Sequence, residues 1–356
     1  MKLHFVKTIF VLLLVVLILP VSAQGLYPYE ENGLVGFTDE NGNIVIPAQF
    51  LAVEEFSEGF APVLLNYKWG YIDPTGKVVI APQFEEAWRF GEGRAVVNVD
   101  GKYGYIDTTG KFVVPAILDK TYGYIEGYAS VCLDGKWTLV DRDGKLVTKP
   151  QYDNISYFSE DRASVCKGDK YGYIDKSGEL VIPIQFDEAR DFHEGMAFVI
   201  LNGKCGFIGK SGKYLVPAIY DSAQEFSEDL IPVCQNDKWG FVAKTGELVI
   251  PFQFEFVNGF SDGLASFLQD GKYGFIDKTG KIVIPAKYDE VWNFGDGVAL
   301  VVQNGKKFNI DKKGHRKGPK TPRGDMRNCF KKNEGCSLWC NPRYVCFVDT
   351  ACQKKR

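Results

Sequence analysis

The sequence predicts an all-β protein built from about eight tandem copies of a 34-residue unit, and three observations support this. A glycine recurs every 34 residues along most of the chain, without insertions. Two hairpin-type turns occupy fixed places in the unit, and the residues between them alternate between apolar and polar, as in half-buried strands. The glycine column is Gly42, Gly76, Gly110, Gly144, Gly178, Gly212, Gly246, Gly280 and Gly314.

The first segment, residues 1–23, has the features of an export signal. Lys2 and Lys7 precede an apolar run over residues 9–19, and Val21-Ser22-Ala23 is a typical cleavage site. The run is well short of the roughly 20 residues that a bilayer-spanning helix needs. We therefore expect a secreted or extracytoplasmic protein without a stable membrane span. A retained N-terminal anchor helix is the alternative.

The second segment, residues 24–318, is the predicted repeat array. Its turns are of the types Asp73-Pro74-Thr75-Gly76 and Asp100-Gly101, both strong hairpin signals. They separate three antiparallel strands per unit, such as 95–99, 103–107 and 111–114. A proline such as Pro115 follows the third strand and is expected to end it. The remainder of the unit is predicted to hold a fourth short strand or one turn of helix.

Neighbouring units that bury their faces against one another predict an elongated solenoid or superhelix. A closed β-propeller is the alternative, although propeller blades are usually longer than this unit.

Two further columns lie in the remainder of the unit. An always aromatic column is expected to form a core spine, and an always acidic column two residues later is expected to cap its own turn. Calcium binding by the acids is the alternative, but equivalent carboxylates should lie too far apart to share an ion. The aromatic column is Phe56, Phe90, Tyr124, Phe158, Phe192, Phe226, Phe260 and Phe294. The acidic column is Glu58, Glu92, Glu126, Glu160, Glu194, Glu228, Asp262 and Asp296.

The third segment, residues 319–356, differs in charge and cysteine content. From residue 312 onward there are 13 basic and 3 acidic residues, against 27 basic and 42 acidic residues over 24–311. We expect this basic tail to contact polyanions, a cell-surface polymer or the acidic body. Its cysteines predict a small disulfide knot with one thiol left over; they are Cys329, Cys336, Cys340, Cys346 and Cys352. In the body, Cys132, Cys166 and Cys234 are expected to be small buried hydrophobes, with stacked disulfides as the alternative.

The middle strand carries the most specific motif of the unit. It reads Lys68-Trp69-Gly70-Tyr71-Ile72-Asp73 in one copy, with Trp137, Trp239 and several tyrosines in equivalent places. Together with the turn and the period, this motif resembles the WG (KWG) β-repeat family over about residues 26–318. The resemblance implies a protein that mediates interactions, and no catalytic residues. Thr138 and Phe308 replace the motif glycine, which predicts irregular fourth and last copies.

No catalytic, cofactor-binding or metal-binding residues are predicted. The mature chain has only His193 and His315, so no histidine pair has metal-ligand spacing. The acidic residues occupy repeated turn positions, where a structural role suffices. A glycan-processing enzyme is therefore the weaker alternative, supported only by export and by the abundance of carboxylates.

Binding is supported by one freely varying column, which lies between these repeated positions. Unrestricted residue type indicates a solvent-facing position, and Trp, Tyr and Arg are enriched in binding hot spots. The predicted binding surface is Glu54, Trp88, Tyr122, Arg190 and Trp292, and the column also contains Ser156, Gln224 and Asn258. An unconstrained surface with incidental aromatics is the alternative. The expected function is a secreted scaffold for an unidentified extracellular protein or polysaccharide, with no nucleic-acid partner. A secreted effector that acts through its disulfide-rich tail is the alternative function.

Overall fold

A computed structural model describes residues 25–318, which form β-strands and turns with no helix in that range. The predicted export signal and the five-cysteine tail lie outside the described residues. The chain divides into two compact units, the first comprising 25–134 with 140–145 and the second 135–139 with 146–318. The predicted fold class is confirmed: both units consist of tandem antiparallel sheets, and no sheet in the described range closes into a barrel.

The first unit contains sheets whose strands follow one another in chain order. They are β1 (Tyr27–Glu31), β2 (Leu34–Thr38), β3 (Ile44–Phe50); β4 (Ala52–Val53), β5 (Ala61–Leu65), β6 (Lys68–Ile72), β7 (Val78–Phe84); and β8 (Glu86–Ala87), β9 (Arg94–Val99), β10 (Lys102–Asp107), β11 (Phe112–Leu118). After them, β12 (Lys120–Thr121) pairs with β13 (Tyr128–Leu133), and β14 (Lys136–Asp141) contains the division between the units.

The second unit repeats the same meander. Its strands are β15 (Asn154–Ile155), β16 (Ala163–Lys167), β17 (Lys170–Ile174), β18 (Leu180–Phe186); β19 (Glu188–Ala189), β20 (Met196–Leu201), β21 (Lys204–Gly209), β22 (Tyr214–Tyr220); β23 (Ser222–Ala223), β24 (Leu230–Gln235), β25 (Lys238–Ala243), β26 (Leu248–Phe254); β27 (Phe256–Val257), β28 (Leu264–Gln269), β29 (Lys272–Asp277), β30 (Ile282–Tyr288); and β31 (Glu290–Val291), β32 (Val298–Gln303), β33 (Lys306–Asp311), β34 (Arg316–Lys317). A two-residue strand thus precedes each of these predicted three-stranded meanders. Of the two predicted alternatives for the remainder of the unit, the fourth short strand is observed within residues 25–318 and the turn of helix is not.

The two turns of each unit have the predicted chemistry. In the third sheet, Asp107 Oδ1 accepts hydrogen bonds from the Thr109 and Lys111 amides at 2.9 and 3.1 Å, and Gly110 has φ 85°. In the second type of turn, Asp100 and Gly101 both have positive φ, 51° and 76°, as a two-residue hairpin turn requires. Local sequence therefore fixes both reversals of the chain.

The motif glycine makes room for a bulge in the last strand of each sheet. Between β10 and β11, Tyr103 pairs with Leu118 and Tyr105 with Val114, so β11 carries two extra residues. A β-carbon on Gly104 would lie 2.7 Å from the Val114 carbonyl oxygen, closer than real β-carbons approach. A side chain at this position would therefore displace the bulge.

The expectation that proline ends this strand is wrong. Pro115 lies inside β11, and the equivalent prolines lie inside the last strands of the other complete sheets. The last strand is an edge strand, so its outward amides need no partner and proline is tolerated there. Proline at this place also discourages an edge strand from pairing with another sheet.

The fourth copy, which lacks the motif glycine, is irregular, as predicted. Thr138 stands where no regular last strand follows, and its hydroxyl donates to the Thr148 carbonyl at 2.7 Å. Phe308 precedes β34, whose two residues lie next to the end of the described range, so irregularity of the last copy stays a prediction.

The aromatic column packs between successive sheets. Phe192 is 1 % exposed and its ring lies 5.0 Å from that of Tyr173 in the preceding sheet, centroid to centroid. Phe90 and Tyr71 in the first unit are 4.9 Å apart in the same way. Phe56 and Phe226 are only partly buried. The column is therefore a core spine, as expected, in most copies.

The acidic column does not cap its own turn, which corrects the sequence-based expectation. Asp262 accepts a hydrogen bond from the Gly297 amide, one copy further on, at 2.6 Å, and pairs with Lys312 Nζ at 2.6 Å. Glu92 makes the equivalent contacts with Gly127 and Arg142 in the first unit. Each acid is itself in the left-handed region, with φ between 47° and 55°. These carboxylates therefore connect successive copies.

This connection predicts a pH-dependent contribution to stability. The hydrogen bond from Lys312 holds the pKa of Asp262 below its usual value, opposed by partial burial and assisted by the Gly297 amide. Because the folded-state pKa is lowered, the stabilisation is complete above the unfolded pKa of about 3.9 and is lost as the pH falls through the folded value. We expect Asp262→Asn to lower the free energy of unfolding at pH 7 by up to about 1 kcal/mol.

Thermal unfolding at pH 7 and at pH 2.5 measures this effect, and the difference from the unsubstituted protein should be smaller at the lower pH. Asp296 has the same position in the last copy, after which no sheet follows within residues 25–318, so Asp296→Asn is the matched control. Equal losses in both variants would contradict a connecting role for Asp262.

Candidate functional site

The freely varying column occupies one backbone environment in all its copies. Each member follows the first short strand, and its amide donates to a carbonyl of the second strand at 2.9–3.1 Å. These bonds run from Glu54 to Pro62, Trp88 to Val96, Tyr122 to Ser130, Ser156 to Ser164, Arg190 to Phe198, Gln224 to Pro232, Asn258 to Ser266 and Trp292 to Leu300. The backbone position is constant while the side chain changes, so the copies present different chemistry from equivalent places.

The preceding sheet fixes the same residues in several copies. The Tyr71 hydroxyl donates to the Trp88 carbonyl at 2.8 Å, and the Tyr173 hydroxyl donates to the Arg190 carbonyl at 2.6 Å. Burial raises the pKa of both tyrosines far above its ordinary value, so both hydroxyls stay protonated and can donate. At these positions the backbone amide and the backbone carbonyl are thus both hydrogen-bonded, and the side chain takes no part in either bond.

In the first unit, the column brings Glu54, Trp88 and Tyr122 onto three successive sheets. Glu54 is exposed, whereas Trp88 and Tyr122 are partly buried. The Trp88 ring packs against the core beside Tyr103, with 6.4 Å between ring centroids. The Trp88 ring is thus packed on one side, and its remaining surface is available to a partner.

In the second unit, Arg190 and Trp292 lie on sheets separated by those of Gln224 and Asn258. Arg190 is exposed, with its guanidinium 4.6 Å above the centre of the Phe198 ring and 3.1 Å from Glu188. Trp292 is partly buried and lies under Lys307, whose Nζ is 4.4 Å from the ring centroid. Arg190 and Trp292, which lie on the first and last of these four sheets, therefore both keep surface that a partner can reach.

The polar members between them are less free than the sequence suggests. Gln224 donates to the Val257 carbonyl of the next copy at 2.9 Å, and Asn258 donates to the buried Ser266 hydroxyl at 2.7 Å. These two side chains satisfy internal groups. The predicted binding surface is thus better represented by its charged and aromatic members.

The motif tryptophans and the body cysteines are placed in or against the core. Trp137 is buried, and Trp69 and Trp239 are partly buried against core clusters. All four body cysteines are buried, and burial raises the pKa of the Cys205 and Cys234 thiols. A raised thiol pKa opposes thiolate formation, so neither cysteine is suited to nucleophilic chemistry.

Tyr67 is an exposed residue that the column analysis missed. It is 84 % exposed at the tip of the β5–β6 hairpin, with φ 62°, where most copies have glycine. A bulky residue in the left-handed region costs stability, which points to a use for its side chain. Its sequence signal is a tyrosine in a turn position otherwise held by glycine or aspartate.

Replacing Tyr67 with glycine is expected to stabilise the protein by about 1 kcal/mol, because glycine has no left-handed penalty. The midpoint of urea unfolding measures this gain. Tyr67→Ala keeps the β-carbon and serves as the control, and an equal gain in both variants would exclude backbone strain as the cause.

Carboxylates line one groove of the first unit, and Glu92 among them already accepts hydrogen bonds from other groups of this chain. The groove measures ≈ 430 Å³ and is lined by Glu92, Glu126, Tyr128 and Arg142, among others. Glu92 is occupied by Arg142 and the Gly127 amide. Within residues 25–318, no group of three or more His, Cys, Asp or Glu side chains is placed to hold a metal ion. His193 and His315 are both exposed and lie in different copies.

Among residues 25–318, no helix is long and apolar enough to cross a membrane.

A family model described as "WG containing repeat" matches the chain in eight consecutive segments. They are residues 36–69, 69–103, 103–137, 137–171, 171–205, 206–239, 239–273 and 273–306. No curated protein sequence matches the chain.

Solved structures with some similarity are distant. A eukaryotic initiation factor is 10 % identical with a TM-score of 0.40, covering 83 % of this chain and 95 % of that one. BamB from Moraxella catarrhalis is 13 % identical with a TM-score of 0.29, covering 81 % and 88 %. Hsv2 of Kluyvelomyces marxianus is 9 % identical with a TM-score of 0.31, covering 62 % and 89 %. These low scores carry no functional information for this chain.

Proposed function

Since the chain belongs to the WG repeat family, whose repeated residues here build turns, bulges and core, we propose that it is a non-catalytic binding scaffold. Its partner is an extracellular protein or a cell-surface polysaccharide, contacted through Glu54, Trp88, Tyr122, Arg190 and Trp292. The export features of residues 1–23 support a secreted or extracytoplasmic location.

One observation carries this proposal: the same backbone environment presents a different side chain in each copy. At a purely structural position, the side chain would be expected to repeat with the backbone, as it does in the aromatic and acidic columns. At a display position, different side chains give each copy its own contacts, and Trp, Tyr and Arg supply most of the energy in known interfaces.

The side-chain environments support contact with a partner. Trp88 and Trp292 are anchored on one side by Tyr103 and Lys307, so little rotamer freedom is lost when a partner covers the other side. Arg190 is held over Phe198 in the same way. Preorganised aromatic and guanidinium groups suit both sugar rings and protein surfaces.

Binding of the full chain to a glycan array and to extracellular proteins in a pull-down tests the proposal. Trp88→Ser and Trp292→Ser are the test variants, because serine is the native residue at the equivalent position 156. Phe112→Ser is the matched control, since Phe112 is an exposed aromatic at another position of the unit. We expect the two tryptophan variants to lose binding by roughly tenfold or more and the control to keep it.

Binding that is unchanged in both tryptophan variants would contradict this assignment. If the same binding were instead abolished by Cys→Ser changes in the tail, the disulfide-rich tail would be the active part. Those variants separate the two functions in the full chain.

A further inference from the structure

An exposed apolar stripe runs along the last strands of the second unit. Leu180, Tyr214, Leu248 and Ile282 are the first residues of β18, β22, β26 and β30. Their exposures are 42 %, 41 %, 47 % and 47 %, although each is a large apolar side chain. Burial of such side chains would be favourable, and contiguous exposed apolar surface commonly marks an interaction site.

The turn before each later member of the stripe packs on the preceding last strand. A β-carbon on Gly246, two residues before Leu248, would lie 2.8 Å from the Leu215 carbonyl oxygen, next to Tyr214. Gly280 approaches Ile250 and Gly212 approaches Ile182 in the same manner, at 3.0 and 3.3 Å. Successive members therefore occupy equivalent places on sheets that pack directly on one another.

A line of alternating charge accompanies the apolar stripe. The residue just before each member is charged, and all four are exposed: Glu179, Lys213, Glu247 and Lys281. None of these four side chains is in an ion pair within the described range. Some other lysines of the same region, Lys204 and Lys244 among them, are paired with acids of this chain.

We propose that this stripe is the contact surface for a second copy of this chain, arranged antiparallel about a twofold axis between the copies of Tyr214 and Leu248. In that arrangement Lys213 faces the second copy's residue 247, and Glu179 faces its residue 281. All four charges then meet an opposite charge, and Tyr214 meets Leu248 while Leu180 meets Ile282. A twofold contact uses the same patch on both copies and closes as a dimer.

The alternating order distinguishes this arrangement from others. A parallel alignment with equivalent residues facing each other would oppose Lys213 to itself and Glu247 to itself. A parallel alignment shifted by one copy is complementary but does not close, and it would give open-ended chains. The prolines inside β18, β22, β26 and β30 also disfavour pairing of the edge strands themselves, so side chains make the contact.

Sedimentation-velocity measurements on the full chain over a concentration series test the proposal, with and without reductant to separate tail disulfides. A reversible dimer is expected. Lys213→Glu and Glu247→Lys should each weaken dimerisation roughly tenfold or more, because each places like charges together. Leu248→Asp should weaken it further, and Ile219→Asp, an exposed apolar residue at the other end of β22, is the control.

Charge exchange gives the decisive result. The double variant Lys213→Glu with Glu247→Lys restores both pairs only in the antiparallel arrangement, and a mixture of the two single variants should form the dimer as well. Melting curves serve to check that each variant is folded. A monomer at all concentrations, a dimer insensitive to every charge change, or a double variant that stays dissociated would overturn the proposal.

Discussion

Gly240→Ala is expected to lower the free energy of unfolding by about 2 to 3 kcal/mol, although it adds a single methyl group. Gly240 lies in β25 opposite the bulge of β26, and a β-carbon there would lie 2.4 Å from the Ile250 carbonyl oxygen. The nearest atoms are all backbone atoms of residues 250–252, so no flexible side chain could move aside. The bulge must therefore shift, and the buried residues next to it lose packing.

Urea unfolding followed by circular dichroism measures this loss. Gly295→Ala is the matched control, since no atom lies within 4 Å of the added carbon and Gly295 has no left-handed φ. We expect the control to be within about 0.5 kcal/mol of the unsubstituted protein. A tolerated alanine at position 240 would show that the motif glycine is not required for the bulge.

The second large effect is expected for Phe192→Ala, which should cost about 3 to 5 kcal/mol. The Phe192 ring is buried between two sheets against Tyr173 and forms part of a core cluster with Ile182 and Val199. Removing it leaves a cavity at a contact between copies. A repeat protein is stabilised largely by contacts between neighbouring copies. The substitution therefore weakens one of the contacts that hold the array together.

Phe226→Ala is the matched comparison within the same column. Phe226 is only partly buried: it packs at the edge of the core cluster that contains Phe207, with the His193 ring centroid 5.7 Å and the Lys244 Nζ 4.2 Å from its own ring centroid. We expect a loss of roughly 1 to 2 kcal/mol there. Equal losses at residues 192 and 226 in urea unfolding would contradict the assignment of stability to the buried spine.

The parts of the fold that sequence predicts well are those set by local backbone chemistry. A turn such as Asp107-Thr108-Thr109-Gly110 specifies its own hydrogen bonds and left-handed glycine, so its geometry needs no distant partner. The irregular fourth copy was predictable for the same reason, because Thr138 breaks a motif that requires glycine.

Contacts between copies were not predictable in the same way. The sequence shows that an acid recurs at positions such as Asp262, but its partners, the Gly297 amide and Lys312, lie 35 and 50 residues away. A second set of contacts was missed for this reason: Lys102 pairs with Asp119, and Lys170 pairs with Asp187, each 17 residues on, across the bulged strand. Only the folded register brings these charges together.

The candidate binding column was predictable in position but not in detail. Its residue variation located the shared backbone site, yet the internal hydrogen bonds of Gln224 and Asn258 depend on neighbours that the variation does not reveal. The exposed apolar stripe that contains Tyr214 and Leu248 was not predicted, for another reason. Apolar residues at the start of a strand are normally interpreted as core, and only their exposure in the folded structure distinguishes the two cases.

The central claim is that repeated residues form the fold while the varying column determines binding. The most direct test is the triple variant Glu54→Ser, Arg190→Ser and Trp292→Ser in the full chain. Its thermal stability is measured, together with its binding to the partner that the unsubstituted protein captures in the array or pull-down. The account predicts a melting temperature within a few degrees of the original and loss of binding by roughly tenfold or more. Unchanged binding by the folded triple variant would contradict it.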